Sequence, residues 1–372
     1  MTDSQSLLEQ LIAIDSVNPS LVPNGAGETK IALFVQNWLE TNGFTTHWIE
    51  QTAGRPSVVG IAKGTGGGRS LMLNGHLDTV TTAGYEGNPL EPRIENGKMY
   101  GRGSYDMKSG VAAMLVAAAR ARVWGLRGDI LVACVSDEED SSIGTEEVLR
   151  SFTANAGIVC EPTELELVTA HKGFVWATMT THGVAAHGSR PHLGVDAIAK
   201  MGRVLIELEA LDKRLRSSSP HPILGTGSIH ASIISGGEER SSYPASCTLE
   251  LERRTIPSEN TSTLEAEIKA ILETCQKADP NFKASYSIGL ERHPLETPAD
   301  AKILEILQRT TGAKISGASY WADAALMQAA GIDTVMYGVI GAGAHASTEC
   351  VDLASLETLT DNLFETIKEF CS

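Results

Sequence analysis

The chain has 372 residues, 42% of them hydrophobic and 20% charged, with a formal net charge of −16. This length predicts two domains, the acidic balance excludes a nucleic-acid partner, and no apolar run approaches the roughly 20 residues of a membrane-spanning helix. The first residues lack the basic and apolar regions of a signal peptide, and the 6 cysteines include no Cys-x-x-Cys pair, so we expect a cytoplasmic protein with reduced, buried thiols.

Helical and strand patterns alternate along the first 160 residues. The segment 108–123 is apolar nearly all round, which predicts a buried helix, and 128–136 is continuously hydrophobic, as in a central strand covered on both faces. This alternation predicts an α/β sandwich with a mixed sheet. The other helices are predicted at 29–43 and 141–152, and the other strands at 44–50, 56–62, 70–74 and 156–160.

The pattern changes between Gly173 and Gly289 to strand–helix–strand–strand–helix–strand, the order of a ferredoxin-like α+β unit. Helical and strand patterns of the first kind return near Ala299. The sequence therefore predicts a discontinuous α/β domain, 1–172 with 290–372, and an inserted domain at 173–289. The inserted elements are predicted at 174–181, 194–211, 227–235, 247–254, 261–276 and 283–289, and the returning ones at 301–310, 334–339 and 355–370.

The glycine-rich stretch 63–70, KGTGGGRS, has the composition of a phosphate-binding loop but not its pattern. Arg69 stands where G-x-G-x-x-G needs its last glycine, and the stretch precedes a strand rather than a helix. We interpret it as a turn, which argues against nucleotide binding.

His76 and Asp78 follow the apolar segment 70–74 and are separated by one leucine. Residues i and i+2 of an extended chain point the same way. One interpretation is a structural hydrogen bond between the two side chains. The other is a metal-binding histidine whose second ring nitrogen is oriented by the aspartate.

Further carboxylates and imidazoles follow other predicted strands or lie in a crossover loop. In an open α/β sheet the strand ends form the crevice where ligands bind, and buried charges there need a partner or a metal. Each residue alone also has an ordinary structural explanation, such as a helix N-terminus or a turn. These residues are Asp106, Glu138, Glu139, Glu161 and His345.

The residues at these positions match the ligand count of a two-metal hydrolase. His76 with Glu161 and His345 with Glu139 would each hold one metal, and Asp106 would bridge the two. Glu138 remains as the general base. Nitrogen and oxygen ligands without thiolates favour two Zn²⁺ ions, with Co²⁺ or Mn²⁺ as alternatives.

The segments HLD, GRGSYDMKSG, DEE, EPT and HASTE occur in this order, with an inserted domain between the last two. Over essentially the whole chain this pattern resembles the dizinc amidohydrolase and metallopeptidase family of acetylornithine deacetylase, succinyl-diaminopimelate desuccinylase, aminoacylase and glutamate carboxypeptidase. The resemblance implies the same ligands and base, and a cis peptide bond between Asp106 and Met107.

The resemblance also implies that the inserted domain is a lid that forms a homodimer. The segment THGVAAHGSRPHLGVDAI makes His187 the residue that stabilises the oxyanion in the partner subunit's site, with His192 as a weaker candidate. Arg254 in RRTIP would clamp a substrate carboxylate, or else form a salt bridge on its strand. Ser241 stands where many relatives carry a substrate-binding Asn, and YGVIGAGAH lacks their Gly-Pro, so the substrate of a relative does not transfer directly.

The predicted activity is hydrolysis of the amide bond of N-acyl amino acids, with acetylornithine-like compounds first. A metal-activated water would attack, and Glu138 would take its proton. A dipeptidase or carboxypeptidase uses the same residues and is the alternative. A binding protein without catalysis would be expected to lack a ligand or the base, but all are present.

Overall fold

The computed structural model describes residues 3–372, and this part of the chain divides into two compact units. The first runs up to Thr169 and includes Glu296–Gly317 and Ala322–Ser372, and the second comprises Ala170–Leu295 and Ala318–Trp321. Trp321 packs within the second unit, against the rings of His171 and Phe174. The division into a catalytic and a lid domain stays a prediction about function.

The elements follow one another in chain order, with strands and helices numbered separately. The helices are α1 Ser4–Ile12, α2 Thr29–Thr41, α3 Lys108–Arg122, α4 Ile143–Leu149, α5 Ala197–Arg216, α6 Thr261–Ala278, α7 Lys302–Thr311, α8 Ala324–Ala329 and α9 Leu353–Phe370. The strands are β1 Thr45–Ile49, β2 Ser57–Ala62, β3 Leu71–His76, β4 Arg93–Glu95, β5 Lys98–Tyr100, β6 Ile130–Val135, β7 Ala156–Val159, β8 Leu167–His171, β9 Gly173–His182, β10 Ala186–His187, β11 Ser228–Gly236, β12 Ser242–Tyr243, β13 Ser246–Thr255, β14 Ala284–Arg292, β15 Leu295–Glu296, β16 Ile315–Ala318, β17 Asp333–Met336, β18 Gly341–Ala342 and β19 Cys350–Asp352.

A nine-stranded mixed sheet, in the order β1-β2-β6-β3-β7-β17-β8-β15 with β16 beside β8, is the centre of the first unit. Its middle strands β6, β3, β7 and β17 are parallel to one another. On one side β2 is antiparallel to β6 and β1 to β2, and on the other side β8 is antiparallel to β17. Strands β3, β6 and β7 are buried along their whole length. Parallel strands that end together place the residues that follow them at one edge of the sheet.

Helices cover both faces of this sheet. Asn74 of β3 donates a hydrogen bond to Thr145 of α4, whereas a Cβ at the next residue, Gly75, would meet Met114 of α3. Since successive strand residues face opposite ways, α4 and α3 lie on opposite faces. Helix α3 packs with α1 and α9 and is buried almost throughout, which confirms the predicted buried helix.

A second, four-stranded sheet in the order β18-β19-β5-β4 joins two distant parts of the first unit. Strand β5 leads into the segment 101–106, and the loop between β18 and β19 spans 343–349. Pairing of β19 with β5 therefore brings the segments that carry Asp106 and His345 together.

The second unit has a four-stranded antiparallel sheet in the order β11-β13-β9-β14. Along the chain, helix α5 lies between β9 and β11, and helix α6 lies between β13 and β14. This is the ferredoxin-like arrangement, and the predicted fold class is confirmed. Buried and more exposed residues alternate along β13, as expected for a sheet with helices on one face only.

The prediction missed several short elements and one helix at the beginning of the described chain. Helix α1 had a recognisable signal, since Asp3 caps it and accepts a hydrogen bond from the Ser6 amide. Strands β4, β5, β18 and β19 have only two or three residues, too few for a periodic pattern. All six cysteines are free and buried. Within residues 3–372, no helix combines the length and apolarity needed to cross a bilayer.

Candidate metal centre

His76 is the last residue of β3 and is fully buried. Its Nδ1 lies 2.9 Å from the main-chain oxygen of Asp78, and a carbonyl oxygen only accepts, so Nδ1 carries the hydrogen. In the neutral ring Nε2 then has the lone pair that a metal requires. Asp78 thus orients His76 mainly through its backbone, since its carboxylate is 3.5 Å from Nδ1.

Asp106 lies between the two predicted metal-binding histidines. Its Oδ1 is 3.1 Å from His76 Nε2, and its Oδ2 is 3.3 Å from His345 Nε2. Burial raises the pKa of Asp106, but the hydrogen bonds to His345 and His76 outweigh it and bring the pKa below its ordinary value. One oxygen towards each histidine is the arrangement that a bridging carboxylate needs. The peptide bond from Asp106 to Met107 is cis, as predicted.

Three glutamates complete the cluster from the ends of β6 and β7. Glu139 Oε2 is 2.9 Å from His345 Nε2, and Glu161 Oε1 is 3.6 Å from His76 Nε2. Glu138 Oε2 is 4.0 Å from His76 Nε2. Two groups of three possible ligand atoms each lie within 4.8 Å of one another. One group is His76, Asp106 and Glu139, and the other is His76, Glu138 and Glu161.

The cluster concentrates negative charge in a buried place. Burial, followed by the charge of Asp106, raises the pKa of Glu139 to about 7, and burial with neighbouring carboxylates raises the pKa values of Glu138 and Glu161 well above their ordinary range. The hydrogen bonds to Asp106 and Glu139 raise the pKa of His345 to about 10. A divalent cation among these oxygens would favour their ionised forms.

The donor set fits two divalent metal ions. Glu139 Oε1 and Glu161 Oε1 are buried and have no hydrogen-bond partner among residues 3–372, which is costly for a carboxylate oxygen unless a cation takes that place. His76 and the carboxylates of Asp106, Glu138, Glu139 and Glu161 offer nitrogen and oxygen donors only, and so does His345 beside Glu139. The four carboxylates would balance the charge of two divalent cations.

The carboxylate of Asp78 has a contact that the sequence did not predict. Its Oδ1 accepts a hydrogen bond from the amide of Glu138 at 3.1 Å, and its Oδ2 accepts one from the amide of Glu139 at 3.2 Å. Asp78 is therefore connected both to the histidine at the end of β3 and to the backbone of the two glutamates after β6.

Glu349 was missed as a functional residue, although it lies in the same short segment as His345. Its carboxylate is buried and 2.8 Å from the guanidinium of Arg102. It also accepts hydrogen bonds from the amides of Gly103, Tyr105 and Asp106 at 2.9–3.0 Å. Glu349 thus joins the loop of His345 to the segment that presents Asp106.

Asp323, which immediately precedes α8, is a second buried carboxyl group that the sequence did not reveal. Its Oδ2 accepts a hydrogen bond from Thr145 at 2.6 Å, and Thr145 in turn accepts one from Asn74 at 3.1 Å. Burial raises the pKa of Asp323 to about 6, against the effect of the Thr145 bond. Its charge also raises the pKa values of Glu138 and Glu161.

The remaining predicted residues belong to the second unit. His187 in β10 is exposed, its register partner in β12 is Ser242, and the amide of the next residue, Gly188, donates to the Ser241 oxygen at 2.6 Å. Arg254 of β13 is 2.6 Å from Glu252 and lies over the ring of Phe174. The structure therefore brings His187 and Ser241 side by side, and it shows Arg254 in the strand-face salt bridge that was one of its two interpretations. His192 is in the exposed loop after β10.

The model of peptidase family M20/M25/M40 matches residues 72–369. The chain is 28% identical to an acetylornithine deacetylase of Proteus mirabilis, over 98% of this chain and 96% of that protein. It superimposes on a tripeptidase from Staphylococcus aureus with a TM-score of 0.81 at 19% identity, covering 99% and 98% of the two chains. A dinuclear metal-binding M20 peptidase from Bacillus subtilis gives a TM-score of 0.73 at 14% identity, covering 99% and 97%. The last two likenesses concern the fold alone.

Proposed function

We propose that this chain, which belongs to peptidase family M20/M25/M40 and is thus a metal-dependent hydrolase of amide or peptide bonds, removes the acyl group from N-acyl amino acids. Family membership confirms the resemblance predicted from the sequence. The substrate class draws its support from the acetylornithine deacetylase of Proteus mirabilis, to which the chain is similar over nearly its whole length. An N-acetyl amino acid such as N-acetylornithine is the first candidate substrate.

The observation that carries the proposal is the position of Asp106 between two histidines, with Glu138 beside them. His76 with Glu161 and His345 with Glu139 would hold two Zn²⁺ ions, or Co²⁺ or Mn²⁺, around the shared Asp106. Two bound ions would supply polarisation of the substrate carbonyl and an acidified water.

Glu138 has the properties of the general base. Its carboxylate is the one member of the cluster without a predicted ligand role, and its side chain keeps a small exposed fraction of 13%. Its Oε2 lies 4.0 Å from His76 Nε2, beside the proposed metal ligands, where a carboxylate could accept a proton from water. In the proposed reaction Glu138 takes a proton from water and later delivers it to the leaving amine.

His187 of the partner subunit is proposed to stabilise the oxyanion. The Ser189 amide donates to His187 Nδ1 at 3.2 Å, so in the neutral ring the hydrogen is on Nε2. Nε2–H can then donate to a developing negative charge. Arg254 and Ser241 stay proposed substrate contacts, and Arg254 would have to exchange Glu252 for a substrate carboxylate.

A homodimer through the second unit is part of the proposal. Strand β11 is at the edge of its sheet and nearly all of it is exposed, including Ile233 and Ile234. Helix α5, which packs beside β11, exposes Ile198 and Ile206. An exposed edge strand with adjacent apolar side chains is suited to pairing with a second copy. Analytical ultracentrifugation of the wild type and of Ile233→Glu tests this, since the variant should sediment as a monomer.

The decisive experiment combines metal analysis with hydrolysis of N-acetyl and N-succinyl amino acids and dipeptides. We expect about two metal ions per chain, and activity that chelation removes and metal restores. Glu138→Gln should lower kcat by roughly 10²–10⁴-fold with metal retained. Asp140→Asn, two residues away in the same loop and exposed, is the control and should stay near wild type. A metal-loaded protein that cleaves no member of the panel would refute the proposal, and cleavage of dipeptides alone would favour a peptidase.

A further inference from the structure

Two buried side chains far apart in the sequence meet beneath the loop of the general base. Asn18 Nδ2 donates hydrogen bonds to Asp78 Oδ2 at 2.8 Å and to Asp137 Oδ1 at 3.1 Å. Arg55 Nη2 donates to the same Asp137 oxygen at 2.7 Å and to the Asn18 side-chain oxygen at 3.0 Å. Asn18 is fully buried and Arg55 is 7% exposed.

The guanidinium of Arg55 is fixed by further partners. Its Nε and Nη2 contact the two oxygens of Glu28 at 2.8 and 2.7 Å, and its Nη1 donates to Ser20 at 2.8 Å. A planar donor group with this many acceptors has one orientation, which a lysine ammonium would not reproduce.

Both acceptors of the Asn18 amide control the backbone at Glu138. Asp137 directly precedes Glu138 and has a φ of 65°, an uncommon conformation for a residue with a side chain. Its main-chain oxygen accepts from the Ser141 amide at 3.1 Å, which closes the loop. Asp78 accepts from the amides of Glu138 and Glu139.

We propose that Asn18 and Arg55 are positioning residues for the general base: by holding Asp137 and Asp78, they fix the backbone that presents Glu138 to the reaction. This inference rests on the proposed hydrolase function. Within residues 3–372, neither side chain hydrogen-bonds a predicted metal ligand directly, so their loss should affect proton transfer more than metal binding.

Asn18→Asp and Arg55→Lys test the proposal with little change in volume. Asn18→Asp replaces a donor to two carboxylates by a third carboxylate, and Arg55→Lys keeps the charge but loses the planar donor set. With N-acetylornithine as the probe, kcat should fall by roughly 10–100-fold, while KM and the metal content per chain stay within about twofold of wild type.

The matched control is Arg253→Lys, because Arg253 is also a buried arginine and has two glutamate partners, Glu259 and Glu267, in the second unit. It should lower the unfolding temperature without lowering kcat. Unchanged kcat in both test variants, or a loss of metal in parallel with kcat, would overturn the proposal. If one test variant does not fold, Asn18→Ser replaces it, since serine cannot reach both carboxylates.

Hydrogen exchange keeps the inference testable apart from the activity. The amides of 138–142 should exchange at least about tenfold faster in Asn18→Asp than in the wild type, while those of 343–349 should not change. If no substrate of the panel is cleaved but this acceleration is seen, the proposed function fails and the positioning role stands. If exchange at 138–142 is unchanged, the positioning role is wrong.

Discussion

Replacing Glu349 by glutamine should destabilise the first unit strongly, because its buried carboxylate accepts four hydrogen bonds. The carboxylate is 1% exposed, and each of its oxygens accepts two hydrogen bonds. Oε1 accepts from the amides of Tyr105 and Asp106, and Oε2 accepts from the Gly103 amide and the Arg102 guanidinium. Burial raises the pKa of Glu349, and the hydrogen bonds from the amides oppose that shift.

The size of the effect follows from counting donors. Glutamine has one acceptor oxygen and one NH₂ group, so in either orientation two of the four donors would face another donor. A buried donor that loses its acceptor costs about 1–3 kcal/mol. We therefore expect Glu349→Gln to lower the free energy of unfolding by about 2–6 kcal/mol. The loops of Asp106 and His345 should also bind metal less tightly, because Glu349 joins them.

The assay is urea unfolding of chelator-treated protein, since bound metal would add its own stabilisation. The shift in midpoint multiplied by the slope gives the change in free energy. Glu147→Gln is the control, because Glu147 is 3% exposed but accepts only from the Gln51 amide and the Thr52 hydroxyl. That hydroxyl can turn and accept from the new NH₂ group, so the cost should be about 1 kcal/mol or less. Equal losses in the two variants would refute the donor count.

Three other substitutions should have opposite or pH-dependent effects on stability. Gly110→Ala would place a Cβ 2.1 Å from the Cys160 oxygen and should cost more than about 2 kcal/mol; Gly202→Ala, in α5 with nothing within 4 Å, should gain about 0.5–1 kcal/mol. Thermal unfolding compares the two, and shifts of the same sign would contradict the packing argument. For Asp323, a pKa of about 6 in the folded protein means that the folded state binds the extra proton, so stability from this group is present at low pH and lost as pH rises from about 4 to 6. In metal-free protein, the free energy of unfolding of Asp323→Asn should therefore rise relative to that of the wild type by up to about 3 kcal/mol as pH increases through this window. A difference between the two proteins that does not change with pH would show that the pKa of Asp323 is ordinary.

Most regular elements could be predicted from the sequence because their cause is local. The apolar run of α3 and the continuous hydrophobicity of β3 and β6 are consequences of burial on all sides, and they are visible in the residues themselves. Two elements that escaped prediction, β5 and β19, are stabilised by pairing with each other, far apart in the sequence, rather than by their own pattern.

The histidines and carboxylates of the cluster were recognisable because metal chemistry restricts the residue type at each strand end. His76, Asp106 and Glu161 could be proposed as metal ligands from type and order alone. Their supporting residues could not, because asparagine, arginine and glutamate have many ordinary roles. Nothing local in Asn18 or Arg55 distinguishes them from surface residues, and the place of Glu349 in HASTE does not reveal its hydrogen-bond partners.

The sequence by itself determined the family, the two fold classes and the chemical identity of the proposed metal-binding side chains, since these depend on periodicity and on residue type in chain order. Only the tertiary structure decided which groups orient them. It placed the backbone oxygen of Asp78, rather than its carboxylate, on His76, and it directed that carboxylate to the amides of Glu138 and Glu139. The physical reason is that a hydrogen bond between segments depends on distances of a few tenths of an ångström, which only the packing of the whole unit sets.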